Sequence, residues 1–345
     1  MGGGKAIRQL GARAALLALA CCTLALAGCG GASKDAAKPS SGTAVIAAAG
    51  DVDLFAFPQT DGKKTFADIQ KEANAQQDAN LLPAANDFVT GRENRLPFGL
   101  FDADRKPVWG PTVLYFATGV DTPAQGPIAA QAHDLSVPAK YRSRTSASDY
   151  DTLGSGFYSV YFRAPKGTTK LNVLSLTDTG NVTQAAATGL VLKSNDPAPA
   201  PGEQAPAIDT PTLDDAGGDA AKIDTRIPPD SMHEISLKDA LKQNKPIVLI
   251  FATPALCASR VCGPVVDVAS EVQAKEGKNV IFIHNEIYKE NDPNKGYRPQ
   301  VGAYGLTSEP FTFVIGPNGK VVAQLQGPFV ASELEAALSK AKSAG

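Results

Sequence analysis

The stretch FATPALCASRVCGP, running from Phe251 to Pro264, constrains this chain more than any other. It follows an apolar run, Ile247–Phe251, and leads into an amphipathic segment, Val265–Glu276. Strand, cysteine-bearing turn and helix in that order place sulfur where a strand ends and a helix begins. Unpaired backbone N–H groups and the helix dipole stabilise a thiolate there. A continuous apolar run of this kind also needs both faces of its sheet covered.

Cysteine usage narrows the setting. The chain has 345 residues and five cysteines. Residues 1–28 read as an export signal: Lys5, Arg8 and Arg13 without an acid, then an apolar stretch from Ala14 to Ala27, short and Ala-rich for a membrane span. It ends in Leu26-Ala27-Gly28-Cys29, which resembles the bacterial lipobox. The resemblance implies cleavage before Cys29 and lipidation of that residue, with Cys21 and Cys22 leaving in the signal. The expected location is the cell membrane, lipid-anchored on its extracytoplasmic face. Cys257 and Cys262 then remain as thiols in an oxidising compartment, where paired cysteines become disulfides. The formal net charge is −2 and more acidic once the signal leaves, so nothing suggests nucleic acid. No cofactor is expected.

Four segments follow the signal. Residues 29–43 are a Gly, Ala, Ser and Lys-rich tether. Residues 44–193 read as an all-β domain. It opens on an ambiguous stretch in which Val52–Phe57 could be a strand and Phe66–Ala79 is compatible with a helix. Runs such as Leu96–Phe101, Thr112–Ala117, Gly156–Arg163, Lys170–Leu176 and Gly189–Lys193 are separated by Gly, Pro, Asp and Asn. Tyr158, Val160 and Phe162 alternate with Ser159, Tyr161 and Arg163, as in a half-buried antiparallel strand. The approach Asp151–Tyr158 resembles strand F of an immunoglobulin-like sandwich, where a tyrosine forms a corner. His133 is expected in a solvated loop, and Trp109 in the core or facing a partner. Residues 194–230 carry seven prolines and few large apolar residues, which predicts an extended, mobile linker.

Residues 231–345 alternate helix and strand signals. Ser236 caps a helix, Ile247–Ala252 and Asn279–His284 are buried strands, and Phe311–Ile315 and Val321–Leu325 flank the turn Gly316–Gly319. Ser332 with Glu335 makes a capping box for a closing helix over Glu333–Lys342. This order, with Glu309-Pro310 just before a strand, resembles the thioredoxin fold, and the string from Glu309 to Val321 is similar to TlpA-like and peroxiredoxin-like members. The expected architecture is therefore two domains, an immunoglobulin-like sandwich followed by an α/β thioredoxin-like fold. The resemblance implies that Pro310 is cis and faces the cysteines.

The cysteine spacing departs from the family's C-x-x-C. Residues five apart on a regular helix lie roughly 8–9 Å apart between Cα atoms, and a disulfide needs less than about 7 Å. The bridge therefore belongs in a non-helical turn, with the helix beginning at Pro264, or its formation unwinds a helix. Which sulfur attacks stays open: the strand end favours Cys257 and the helix dipole favours Cys262. Arg260, between them, reads as a solvated side chain.

The first functional reading is thiol–disulfide exchange with protein thiols or disulfides of the cell envelope, through Cys257, Cys262 and Pro310. A second is a Sco-like copper module, with His284 joining the two thiolates around Cu(I); a His284–Glu286 hydrogen bond is the plainer role for that histidine. A third is a peroxidase resembling peroxiredoxin Q, which shares the cysteine separation but spaces threonine and cysteine differently, and for which Arg298 is poorly placed. A purely structural disulfide is the fourth.

Overall fold

Strand β10, Ile247–Phe251, is buried along its whole length and lies at the centre of the part that carries the cysteines. The computed structural model describes residues 51–152 and 156–344. The export signal, Cys29 and the tether lie outside these. All described residues belong to one compact unit. No helix among them is long and apolar enough to cross a membrane.

In chain order, α1 (Phe66–Ala73) precedes β1 (Gln76–Pro83), β2 (Phe88–Val89), β3 (Glu93–Phe101), β4 (Thr112–Ala117) and β5 (Gln125–Asp134). A short helix α2 (Ala147–Thr152) leads to β6 (Gly156–Arg163), β7 (Lys170–Asp178), β8 (Val182–Ala185) and β9 (Thr188–Lys193). Seven of these strands close on themselves, in the order β7-β4-β5-β6-β3-β1-β8 and back to β7, with β9 attached to β7 and β2 to β9. Two strands make the corners by changing partner along their length. β5 pairs with β4 up to Ala130 and with β6 from Gln131, while β1 pairs with β8 up to Ala79 and with β3 from Asn80.

The all-β expectation thus meets a closed ring of hydrogen bonds rather than two separate sheets. Leu96, Phe98, Leu114, Phe116, Tyr158 and Phe162 pack in one core cluster of this part. Val113, Tyr115 and Leu176 pack with Phe66 and Ile69 of α1 in another, so β4 is buried on both faces. Val52–Phe57 is not a strand but contains a single 3-10 turn, and the helix at Phe66 stops at Ala73, giving way to β1. Tyr158 is no corner tyrosine. It sits inside β6, and its hydroxyl accepts from the Gly110 N–H at 2.9 Å, a residue 48 positions upstream. Trp109 packs its ring on Tyr158, 5.0 Å between centroids. His133 is buried, not solvated: it lies in β5, stacks on Phe157 and bonds Ser159 Oγ at 2.7 Å, and burial pushes its pKa down.

The cysteine-bearing part runs α3 (Leu237–Ala240), β10, α4 (Cys262–Glu276), β11 (Ile281–Asn285), α5 (Pro299–Ala303), β12 (Phe311–Ile315), β13 (Val321–Gln326) and α6 (Ala331–Ser343). Its sheet has the order β11-β10-β12-β13, with β10 parallel to β11 and antiparallel to β12. This is the thioredoxin-like arrangement. One face, with Val248, Ile250 and Val314, packs on Val265, Val268 and Val272 of α4 and on Leu334 and Leu338 of α6. The other, with Leu249, Phe251 and Phe313, packs on Leu237, Val301 and Tyr304. The closing helix starts two residues before its expected beginning: the Glu333 carboxylate, not Glu335, reaches back to a cap N–H, that of Val330, at 3.2 Å.

Residues 194–230 contain little regular structure, as expected, but they pack against the fold instead of extending from it. Ala198 and Ala205 enter the core on the Leu249 face. Thr210, Asp224 and Arg226 are also buried. Small side chains lie flat against a neighbouring surface without the apolar periodicity that marks a core segment. The two parts are further tied by Arg95 of β3, which donates to both oxygens of Glu333 at 2.8 and 2.9 Å and to the carbonyls of Gln326 and Pro328. Gly327, with φ +71°, runs so close to the Ala84 carbonyl that a Cβ would lie 2.2 Å from it.

Candidate redox site

β10 ends at Phe251, and the chain turns through Ala252–Val261 before α4 begins at Cys262. Cys257 and Cys262 form a disulfide with Cα atoms 6.0 Å apart. The geometry resolves the spacing problem in favour of a turn: the residues between the cysteines are non-helical, and Arg260 has φ +60°. The helix starts at Cys262 itself, two residues earlier than Pro264, because Pro264 is tolerated within a first turn, where N–H groups lack intrahelical partners anyway.

The two sulfurs differ in access. Cys257 is half-buried and its Sγ lies 3.2 Å from the Ser259 hydroxyl; Cys262 is fully buried among Val265, Phe329 and their neighbours. Cys262 therefore has the helix dipole and Cys257 has the solvent. An incoming molecule meets Cys257.

One segment, Glu309-Pro310, lies at this turn. The Glu309–Pro310 peptide bond is cis, as the resemblance implied, and Pro310 directly precedes β12, whose Phe311 pairs with Phe251 of β10. Pro310 thus stands at the same sheet end as the cysteines. The residue before it was missed by sequence reasoning. Glu309 places Oε2 3.7 Å from Cys262 Sγ. Burial pushes its carboxyl up to about 8, the Glu286 charge pushes the same way, and the Thr253 N–H opposes them. A carboxyl poised near neutral pH beside a buried sulfur can take a proton from it or return one. Only the sheet brings Glu309 to a cysteine 47 positions away; its place before Pro310 marks the position but not this contact.

The back of α4 is covered by the β-rich part. Gly263 packs against Ser146, where a Cβ would stand 2.6 Å from the Ser146 Cβ. One turn on, Asp267 is buried and accepts from Arg226 Nε at 3.0 Å, from the Ser143 N–H and from Ser146 Oγ at 2.5 Å.

His284 does not join the cysteines, which corrects the copper expectation. Its Nδ1 bonds Asp230 Oδ2 at 2.8 Å and its Nε2 the Ala252 carbonyl at 3.1 Å. The residues grouped with the sulfurs are the cysteines and Glu309, while His284 belongs with Asp224, Asp230 and His233. Nor does it bond Glu286, which instead accepts from the N–H and hydroxyl of Thr225 at 2.7 Å. Arg298 is held by the Tyr288 carbonyl and Asn291.

No family model and no curated protein matches the chain. Among solved structures, similarity is found to a thiol:disulfide interchange protein of the thioredoxin family from Chlorobium tepidum TLS, at 20% identity and TM-score 0.29, covering 42% of this chain and 99% of that one. A putative thiol:disulfide interchange protein DsbE from Chlorobium tepidum matches at 21% identity and TM-score 0.31, again over 42% and 99%. A DsbF homologue from Corynebacterium diphtheriae matches at 18% identity and TM-score 0.29, over 52% of this chain and 96% of that one.

Proposed function

We propose that the chain is a cell-envelope thiol–disulfide oxidoreductase acting on protein thiols or disulfides through Cys257 and Cys262. The observation that carries this reading is the asymmetric pair: a half-buried sulfur at Cys257, and a buried one at the start of a helix with Glu309 beside it.

In the reducing direction the Cys257 thiolate attacks a substrate disulfide, forming a mixed disulfide and releasing one substrate thiolate. Glu309 takes the proton of the Cys262 thiol, and the Cys262 thiolate attacks Cys257 Sγ. The second substrate thiolate leaves, the Cys257–Cys262 bond forms, and two electrons have passed to the substrate. In the oxidising direction the same steps run backwards, with Glu309 returning the proton. Pro310, at the same sheet end as the cysteines, completes the site on the side of β12. In this reading residues 44–193, whose immunoglobulin-like relationship is part of the proposal, support α4 from behind. A lipid on Cys29 tethers the chain to the extracytoplasmic membrane face.

Trapping tests the site. Cys262→Ser should accumulate mixed disulfides on Cys257 with envelope proteins, whereas Cys257→Ser should accumulate few. A redox titration should place the pair among exchanging dithiols. A potential below about −300 mV, with no trapped partner, would show a structural bridge instead. Tethering is tested separately, by mass spectrometry of Cys29 and by whether Cys29→Ser leaves the precursor uncleaved.

A further inference from the structure

Asp224, Asp230, His233 and His284 converge in the interior, away from the cysteines, with ligand-capable atoms all within 4.8 Å of one another. We infer that they form a binding site for one divalent transition-metal ion, zinc first among them, that fixes the segment 224–233 to the end of β11.

His233 makes the argument. It is 4% exposed, yet neither ring nitrogen has a hydrogen-bond partner. Its Nε2 points between the carboxylates, 3.5 Å from Asp224 Oδ2 and 3.5 Å from Asp230 Oδ1. Those separations are too long for good hydrogen bonds. They match the edge of a ligand tetrahedron, roughly 3.4 Å when each bond to zinc is about 2.1 Å. His284 Nδ1 completes the set, 2.8 Å from Asp230 Oδ2 and 3.9 Å from Asp224 Oδ1.

Charge leads to the same conclusion. Two buried carboxylates need two compensating positive charges. Protonating both imidazoles would supply them, but His233 would then bury two N–H groups without an acceptor. One dication supplies both charges and uses the Nε2 lone pair, leaving one buried N–H, at Nδ1, instead of two. Two imidazoles and two carboxylates suit zinc and its neighbours, whereas Cu(I) prefers sulfur.

The surroundings are those of a ligand set held in advance. His284 Nε2 is engaged with the Ala252 carbonyl. Asp224 accepts from the N–H groups of Arg226 and Asp230 at 2.8 and 2.7 Å, and Asp230 accepts from that of Met232 at 2.8 Å. The His284 N–H bonds the Met232 carbonyl at 2.9 Å, setting His233 beside β11. Because Thr225, next to Asp224, also accepts from the Ala255 N–H, the ion would brace the base of the cysteine turn.

The test uses the full chain, as wild type and as the Cys257→Ser/Cys262→Ser double variant, stripped with chelator and titrated with zinc or cobalt(II). Both should bind one equivalent, cobalt should give tetrahedral ligand-field bands without thiolate charge transfer, and zinc should raise the Tm of both. His233→Ala, checked for folding by circular dichroism, should weaken zinc at least about 100-fold, and Asp224→Asn should do likewise. Equal affinity in folded His233→Ala, loss of binding in the cysteine variant, or no stoichiometric binding to wild type would each overturn the proposal. Should both ligand variants unfold, the zinc-dependent Tm of the cysteine variant decides: no shift overturns the proposal.

Discussion

Glu309 holds its half-buried carboxyl 3.7 Å from the fully buried sulfur of Cys262, at the start of α4. Full burial of the sulfur and half-burial of the acid set the chemistry. The sulfur that solvent reaches is Cys257, so Cys262 needs a proton carrier of its own, and Glu309 is the titratable group beside it. Glu309→Gln should slow the step in which Cys262 resolves a mixed disulfide by about 100-fold at pH 7. It should also remove the limb of the pH–rate profile centred near 8. Stopped-flow exchange with a model peptide disulfide measures both. An unchanged profile would remove Glu309 from the mechanism.

The same carboxyl makes a stability prediction of definite sign. Its pKa rises from 4.5 in the unfolded chain to about 8 in the fold. Between these values the folded protein keeps a proton that the unfolded chain has released, so stability falls as pH rises across that window. Below pH 4.5 both states are protonated and the effect vanishes. Urea midpoints of wild type and Glu309→Gln should therefore agree near pH 4 and diverge towards pH 8, with the variant more stable. Parallel curves would contradict the burial of this acid.

How much of this was legible follows from where the side chains point. β10, β12 and β13 were read nearly to the residue because both faces of β10 and β12 are covered, so an unbroken apolar run marks them. β1 and β5 were not, because Gln76–Pro83 and Gln125–Asp134 carry Gln, Asp, Asn and small residues whose place comes from pairing with neighbours that close the ring. The cysteine pair was legible from its spacing, and Pro310 from the resemblance carried by its place just before a strand. Glu309, Asp224 and His233 were not, since each meets its partners only through the tertiary fold. The segment 194–230 looked mobile because alanine burial has no periodic signature.

Packing in that segment gives a proteolysis prediction. Trypsin and subtilisin should cut slowly between Ser194 and Asp230 under native conditions, and urea unfolding should be a single transition by fluorescence and by far-UV dichroism. Early release of a stable C-terminal fragment would restore the linker expected from composition.

Gly263 allows α4 to approach the β-rich part. Alanine normally gains up to about 1 kcal/mol over glycine inside a helix. Here the added Cβ would stand 2.6 Å from the Ser146 Cβ, an atom close to the backbone that cannot swing aside. Overpacking of this kind costs about 1–3 kcal/mol, so the clash should win and Gly263→Ala should be destabilised. A gain in urea midpoint would show that the loop at Ser146 yields freely.

Arg226 and Asp267 supply the most sensitive test of how α4 is held. Their side chains are 7% and 0% exposed, and the carboxylate also accepts from Ser143 and Ser146 of the β-rich part, so three segments meet on one charge. Asp267→Asn keeps the shape but leaves the Arg226 guanidinium without its counterion. Breaking a buried pair from one side costs about 3–5 kcal/mol, while replacing both members with apolar residues of similar volume is often close to neutral. Asp267→Asn and Arg226→Met should therefore each destabilise strongly, and an Arg226→Met/Asp267→Leu double variant should recover much of the loss. Urea denaturation of the four proteins measures the coupling. The potential of the Cys257–Cys262 couple should change little in any variant that remains folded, because Asp267 lies a full turn beyond Cys262 on α4. Additive losses in the double variant would mean that the pair is held by its hydrogen bonds to Ser143, Ser146, Tyr141 and Pro228 rather than by mutual charge.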